Sequence, residues 1–119
     1  MAMKKRLISS RFPYLNIQFD ARHTKLDVEA FFDSGFDGDV AIPQALIANG
    51  DPPDGHQIWR LADNSEILVS YYLGTVSLGQ LGSFDAVIVT IGDEPLIGRG
   101  ITNRFNVILD HGQRLIMEL

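Results

Sequence analysis

The residues best placed to do chemistry stand at Phe31-Phe32-Asp33-Ser34-Gly35. Two large apolar residues lead into an acid, and a hydroxyl residue and a glycine follow it. That order sets a carboxylate at the edge of a core, on a tight turn, where it can give or take a proton. The tripeptide alone is a weak signal, expected by chance in roughly one chain in twenty of this length. Its bland reading is a turn in which the Asp and Ser side chains bond their own backbone. Other candidates are poorer. His23, His56 and His111 lie far apart without metal-ligand spacing and read as loop or turn residues. Asp37, Asp39, Asp51 and Asp54 lack a calcium-loop spacing and read as solvated loop acids. No serine sits in a nucleophile-elbow pattern.

The elements that must position Asp33 follow from alternation. Leu15, Ile17 and Phe19 alternate with polar residues, and Leu26, Val28, Ala30 and Phe32 do so up to the motif. Each run predicts a strand with one buried face, joined through Ala21-Arg22-His23. Val40-Ala41-Ile42 is a short apolar segment. Pro43 followed by Gln44–Ala48 and Asn49-Gly50 predicts a short helix. Residues 57–61 and 66–78 predict a long hairpin turning near Asp63-Asn64. Residues 86–91 form a continuous apolar run, broken at Gly92-Asp93-Glu94-Pro95. Leu96-Ile97-Gly98 then leads into a brief helix over 99–105, and a closing hairpin turns at His111-Gly112. Trp59, Tyr71 and Tyr72 fall in strands, as core or as cleft wall. The sum is mostly β, closed or sandwich-like, with one or two short helices.

Composition narrows the classes. A chain of 119 residues, 45% apolar and 21% charged, makes one globular domain, residues 1–119. It has no cysteine, which removes disulfides, thiolate metal sites and a cysteine nucleophile, and fits a cytoplasmic setting. The net charge is −5. Lys4, Lys5, Arg6 and Arg11 form a basic N-terminal segment, residues 1–11, expected to be solvated. Six basic against fifteen acidic side chains, net −9, then remain on residues 12–119. Such a body repels phosphate backbones, so a nucleic-acid partner is not expected. No membrane segment is expected either, because the uncharged run from Ile67 to Phe84 alternates like a strand.

The order of motifs resembles the retropepsin-like (clan AA) aspartic proteases. It is most similar to the small single-domain prokaryotic type whose motif reads Asp-Thr-Gly-Phe, here Asp33-Ser34-Gly35-Phe36. The resemblance runs from about Leu15 to Leu119. It includes Val40-Ala41-Ile42-Pro43, Leu61-Ala62-Asp63 and Leu96-Ile97-Gly98-Arg99. It implies an all-β fold, a small closed retropepsin-like barrel, and an aspartic endopeptidase that needs no metal or cofactor. In that chemistry two carboxylates share one proton, activate a water and protonate the peptide carbonyl oxygen. The chain has a single Asp-Ser-Gly, so the resemblance implies a homodimer in which Asp33 meets its own copy.

By the same resemblance, Asp33, Ser34 and Gly35 are catalytic, and the Ser34 hydroxyl bonds across the dyad. Asp37 and Arg99 form a structural ion pair near the dimer contact, with Gly98 beside them. Ala62, Asp63, Asn64 and Ser65 are the tip of a flap that closes over a protein or peptide substrate. Retroviral flap tips are glycine-rich and this one is not, although Asn64 can take the left-handed turn conformation. The alternative is a non-catalytic dimeric peptide-binding module with the same fold, holding an extended peptide by strand addition.

Overall fold

The computed structural model describes residues 4–119. In chain order the strands are β1 Arg6–Ile8, β2 Tyr14–Ala21, β3 Thr24–Phe32, β4 Val40–Ile42 and β5 Gly55–Arg60. They continue with β6 Glu66–Ser77, β7 Ser83–Thr90, β8 Leu96–Ile97, β9 Asn106–Asp110 and β10 Arg114–Glu118. One α-helical turn, α1 Arg99–Thr102, and 3-10 turns at Gln44–Leu46 and Gly79–Leu81 complete the described elements.

The alternation in β2 does what the pattern predicts. Leu15, Ile17 and Phe19 are buried while Asn16 is exposed. β3 obeys it only near the site: Ala30 is buried, Val28 and Phe32 are half-buried, and Leu26 is exposed. From β2 the sheet runs β3, β8, β4, β7, β6. It closes on itself where β2 meets β6, with Gln18, Phe19 and Asp20 opposite Ser77, Val76 and Thr75. The result is a six-stranded barrel, as the fold class predicts. Closure abolishes free edges in the ring and encloses one core of Leu15, Phe19, Val40, Ile42, Tyr72, Ile88 and Ile97. At the seam a Cβ on Gly74 would fall 2.1 Å from the Asp20 carbonyl oxygen, so only glycine lets the strands approach there.

β6 is longer than the barrel needs. Its residues 66–69 pair with β5 alone, so β5 and β6 project beyond the wall as a hairpin. β5 itself is hydrogen-bonded on one side only.

The basic N-terminal segment is not simply solvated. β1 is the outer strand of a second sheet, β1–β10–β9, with Arg6 opposite Glu118 and Ile8 opposite Ile116. Lys4 Nζ and Arg6 Nε lie 3.0 and 2.8 Å from the carboxylate of Glu118, whose side chain is almost fully buried. Arg11 pairs with Glu29 and lies over the Tyr14 ring, 3.7 Å from its centroid. The charges expected to face water are spent tying this segment to distant strands. Leu115 and Met117 join the barrel core from the inner face of β10.

Candidate active site

Asp33 is the first residue past β3. Its backbone N–H donates to the Ile97 carbonyl at 3.1 Å, extending the parallel pairing of β3 with β8. The chain then turns, with the Phe36 N–H donating to the Asp33 carbonyl at 3.1 Å. The Gly35 N–H donates to Asp33 Oδ1 at 2.9 Å. One carboxylate oxygen is thus oriented by the loop itself, and no protein group among the described residues bonds Oδ2. Asp33 is half-buried, whereas Ser34 and Gly35 are exposed. A carboxylate in this setting is fixed in direction yet open to a reactant.

The following loop is clamped from below by α1. The Arg99 N–H donates to the Phe36 carbonyl at 2.8 Å, and the Gly100 N–H to the Gly38 carbonyl at 3.0 Å. The Gly98 N–H donates to the Asp39 carbonyl at 2.9 Å, and Asp39 Oδ2 accepts from the Val87 N–H at 2.9 Å. Gly98 is required by closeness: its Cβ would fall 2.3 Å from the Gly38 carbonyl oxygen and 2.6 Å from the Phe36 ring.

The projecting hairpin turns over residues 61–65. Leu61 and Ser65 close it through a backbone bond of 2.8 Å, and Asn64 adopts φ 71°. Asn64 Oδ1 accepts from the Arg60 guanidinium at 2.9 Å. The Ser65 hydroxyl and N–H both donate to Asp63, holding its carboxyl below the usual range. The outer face carries Ile58 and Leu68, paired across the strands and exposed. The inner face packs Trp59, Ile67, Val69 and Tyr71 toward Phe36, Ala41 and Val89.

No protein-family model matches the chain, and no curated protein matches it. Its structure is similar to the solved structure of a retropepsin-like aspartic protease from Rickettsia conorii. The two are 18% identical with a TM-score of 0.63, over 98% of this chain and 93% of that one. The fold is retropepsin-like.

Within this retropepsin-like barrel the motif residues fall together as read: Asp33, Ser34 and Gly35 at the end of β3, and Gly98 directly beneath their loop. Ala62 to Ser65 form the hairpin tip. The expected ion pair does not form within the chain. Asp37 and Arg99 are both exposed, and no salt bridge joins them among the described residues. Asp39 holds the loop instead, because its side chain reaches the β7 backbone. That role was missed, since a lone acid in a loop gives no local sign of a partner 48 residues away.

Two further readings are corrected. Asp51 and Asp54 are not free solvated acids. Asp51 accepts from the N–H of His23 and is 2.8 Å from its ring nitrogen, which lowers its carboxyl. Asp54 pairs with Arg22 and accepts from the Leu73 N–H at 2.8 Å. His56 lies in β5 rather than in a loop, while His23 and His111 do lie in turns. Tyr72 is core, whereas Trp59 and Tyr71 line the inner face of the hairpin.

Proposed function

We propose that the chain, as one domain over residues 1–119, is an aspartic endopeptidase that works as a homodimer. The observation that carries the reading is Asp33: a half-buried carboxylate at the end of β3, oriented by Gly35, in a retropepsin-like barrel. In the dimer, Asp33 of one protomer faces the same residue of its partner across a water. Two adjacent carboxylates cannot both ionise cheaply, so they hold one proton between them and titrate as a pair. The ionised partner takes a proton from the water as oxygen attacks the peptide carbonyl carbon. The protonated partner donates to the carbonyl oxygen, and collapse of the resulting diol breaks the C–N bond with a proton delivered to the amine.

Ser34 supports the dyad through its hydroxyl. Asp37 and Arg99, exposed within one chain, belong in this reading to the contact between protomers. The hairpin tip Ala62–Ser65 is the flap that covers bound substrate and excludes water. No cofactor takes part, and the cysteine-free composition fits a cytoplasmic site of action. Among the described residues no helix is long and apolar enough to cross a membrane.

A non-catalytic dimeric peptide-binding module is the second reading. The side-chain bonds at Asn64 and Asp63 favour it, because they stiffen a tip that a flap must move. Cleavage of a complex peptide mixture, read by mass spectrometry, separates the two. Wild type should make cuts that folded, dimeric Asp33→Asn does not make. A folded wild-type dimer that cuts nothing would leave the binding module.

A further inference from the structure

A cavity beside the Asp33 loop is bounded by side chains that the proposed reaction does not use. Phe36, three residues past Asp33, is 8% exposed. Its ring centroid lies 5.4 Å from that of Trp59, with the planes tilted by 44°. Phe36 is braced from behind, its ring atoms 2.5 and 2.6 Å from where Cβ atoms on Gly38 and Gly98 would sit. Trp59, the chain's single tryptophan, is held from its own strand, its indole N–H donating to Gln57 Oε1 at 3.0 Å. Phe36, Trp59, Val87 and Val89 supply the apolar walls of a cavity of about 240 Å³, and Gln57 and Asp39 its polar groups.

Size and chemistry select the occupant. Pockets that take a whole small molecule run from roughly 300 to 1,000 Å³. A dry apolar cavity of about 150 Å³ already accommodates a benzene ring. This cavity therefore suits one apolar side chain. The chain that carries such a side chain has a place to lie: β5, which bears Trp59, has a free backbone edge. A free strand edge beside an alternate side-chain pocket is how extended peptides are held.

We propose that this cavity is a subsite for one aliphatic side chain of an extended peptide lying beside Asp33, and that Trp59 sets its selectivity. The proposal rests on the peptide-substrate reading above. Phe36 is fixed by the loop glycines, so the indole is the wall that defines how tightly the side chain is enclosed. Each methylene enclosed or lost in such a pocket is worth about tenfold or more in selection.

The test uses Asp33→Asn protein, which binds without cutting, and fluorescently labelled extended peptides in which each position is varied among Ala, Val, Leu and Phe. Binding is read by anisotropy. At one position Val or Leu should bind about tenfold more tightly than Ala. Adding Trp59→Ala should bring that ratio below about threefold, while Trp59→Phe should keep most of it. Circular dichroism and sedimentation establish that each variant is folded and of the same size. An unchanged ratio in folded Trp59→Ala, or no position with an aliphatic preference, overturns the proposal. So does the absence of any peptide binding. Cleavage by wild type is scored separately, so a protease whose preference ignores Trp59 refutes this inference and leaves the protease reading standing.

Discussion

The backbone N–H of Gly35 donates to Oδ1 of Asp33 over 2.9 Å, and a Cβ on Gly35 would sit 3.3 Å from that same oxygen. The residue that orients the carboxylate is also the one whose lack of a side chain leaves it room. Gly35→Ala therefore crowds the group it should hold. Displacements of about 1 Å at a reacting group cost on the order of a hundredfold. A shift of a few tenths of an ångström should lower kcat about tenfold while the melting temperature moves little. Peptide-cleavage kinetics beside thermal denaturation check this. A fall in stability with kcat per folded dimer unchanged would refute it.

Ser34 is exposed in the single chain, free to meet a partner protomer. If its hydroxyl spans the dyad, two symmetric bonds form per dimer, each worth about 0.5–1.5 kcal/mol. Ser34→Ala should weaken dimerisation by on the order of tenfold or more, and Ser34→Thr should not. Sedimentation over a dilution series reads both. Equal dissociation constants for Ser34→Ala and wild type would remove the hydroxyl from the contact.

Glu118 gives the terminal sheet a pH signature. The hydrogen bond from Lys4, with its charge and that of Arg6, outweighs burial and holds the Glu118 carboxyl below its ordinary value. A carboxylate with a lowered folded value stabilises above its unfolded pKa of roughly 4.3 and loses that contribution as pH falls through the folded value. Glu118→Gln should melt lower than wild type at neutral pH. The gap should close as the pH drops below about 4. Melting curves across that range decide it; a gap that stays constant would contradict the ion-pair account.

Gly98→Ala forces a methyl group against the Gly38 carbonyl and the Phe36 ring. Overpacking of this kind typically costs about 1–3 kcal/mol. Because the obstructed atoms belong to the Asp33 loop, activity should fall further than stability alone explains. Urea titration and single-turnover cleavage on the folded fraction separate the two losses.

What could be read from the sequence was local. Leu15, Ile17 and Phe19 announced β2 because period two needs only neighbouring residues, and Asp33 stood out because an acid ended an apolar strand. Asn64 was legible as a turn residue for the same reason, and it does take positive φ. What escaped depends on distant pairing. β1 spans Arg6–Ile8, too short for any period, and exists because β10 offers it an edge. β8 has two residues, Leu96 and Ile97, defined by β3 on one side and β4 on the other. The loop clamp went to Asp39 rather than to Asp37 and Arg99 because reach to the β7 backbone decided it, and composition does not encode reach. Trp59 was readable as core or cleft wall; only the hairpin's placement over Phe36 chose between them.

β6 has a mechanical consequence. A single strand forms the barrel wall at one end and the projecting hairpin at the other, so the molecule contains a cantilever. Its clamped root is the stretch paired to β7 and β2, with the buried Tyr72 hydroxyl bolted to the Asp51 carbonyl at 3.0 Å. Its free arm begins where β6 keeps only β5 as a neighbour and ends at Asn64. Deflection of such a beam is largest at the tip and vanishes at the root. The arm can therefore swing by several ångströms at Asn64 while Trp59, nearer the root, moves less and the barrel seam at Gly74 does not move at all.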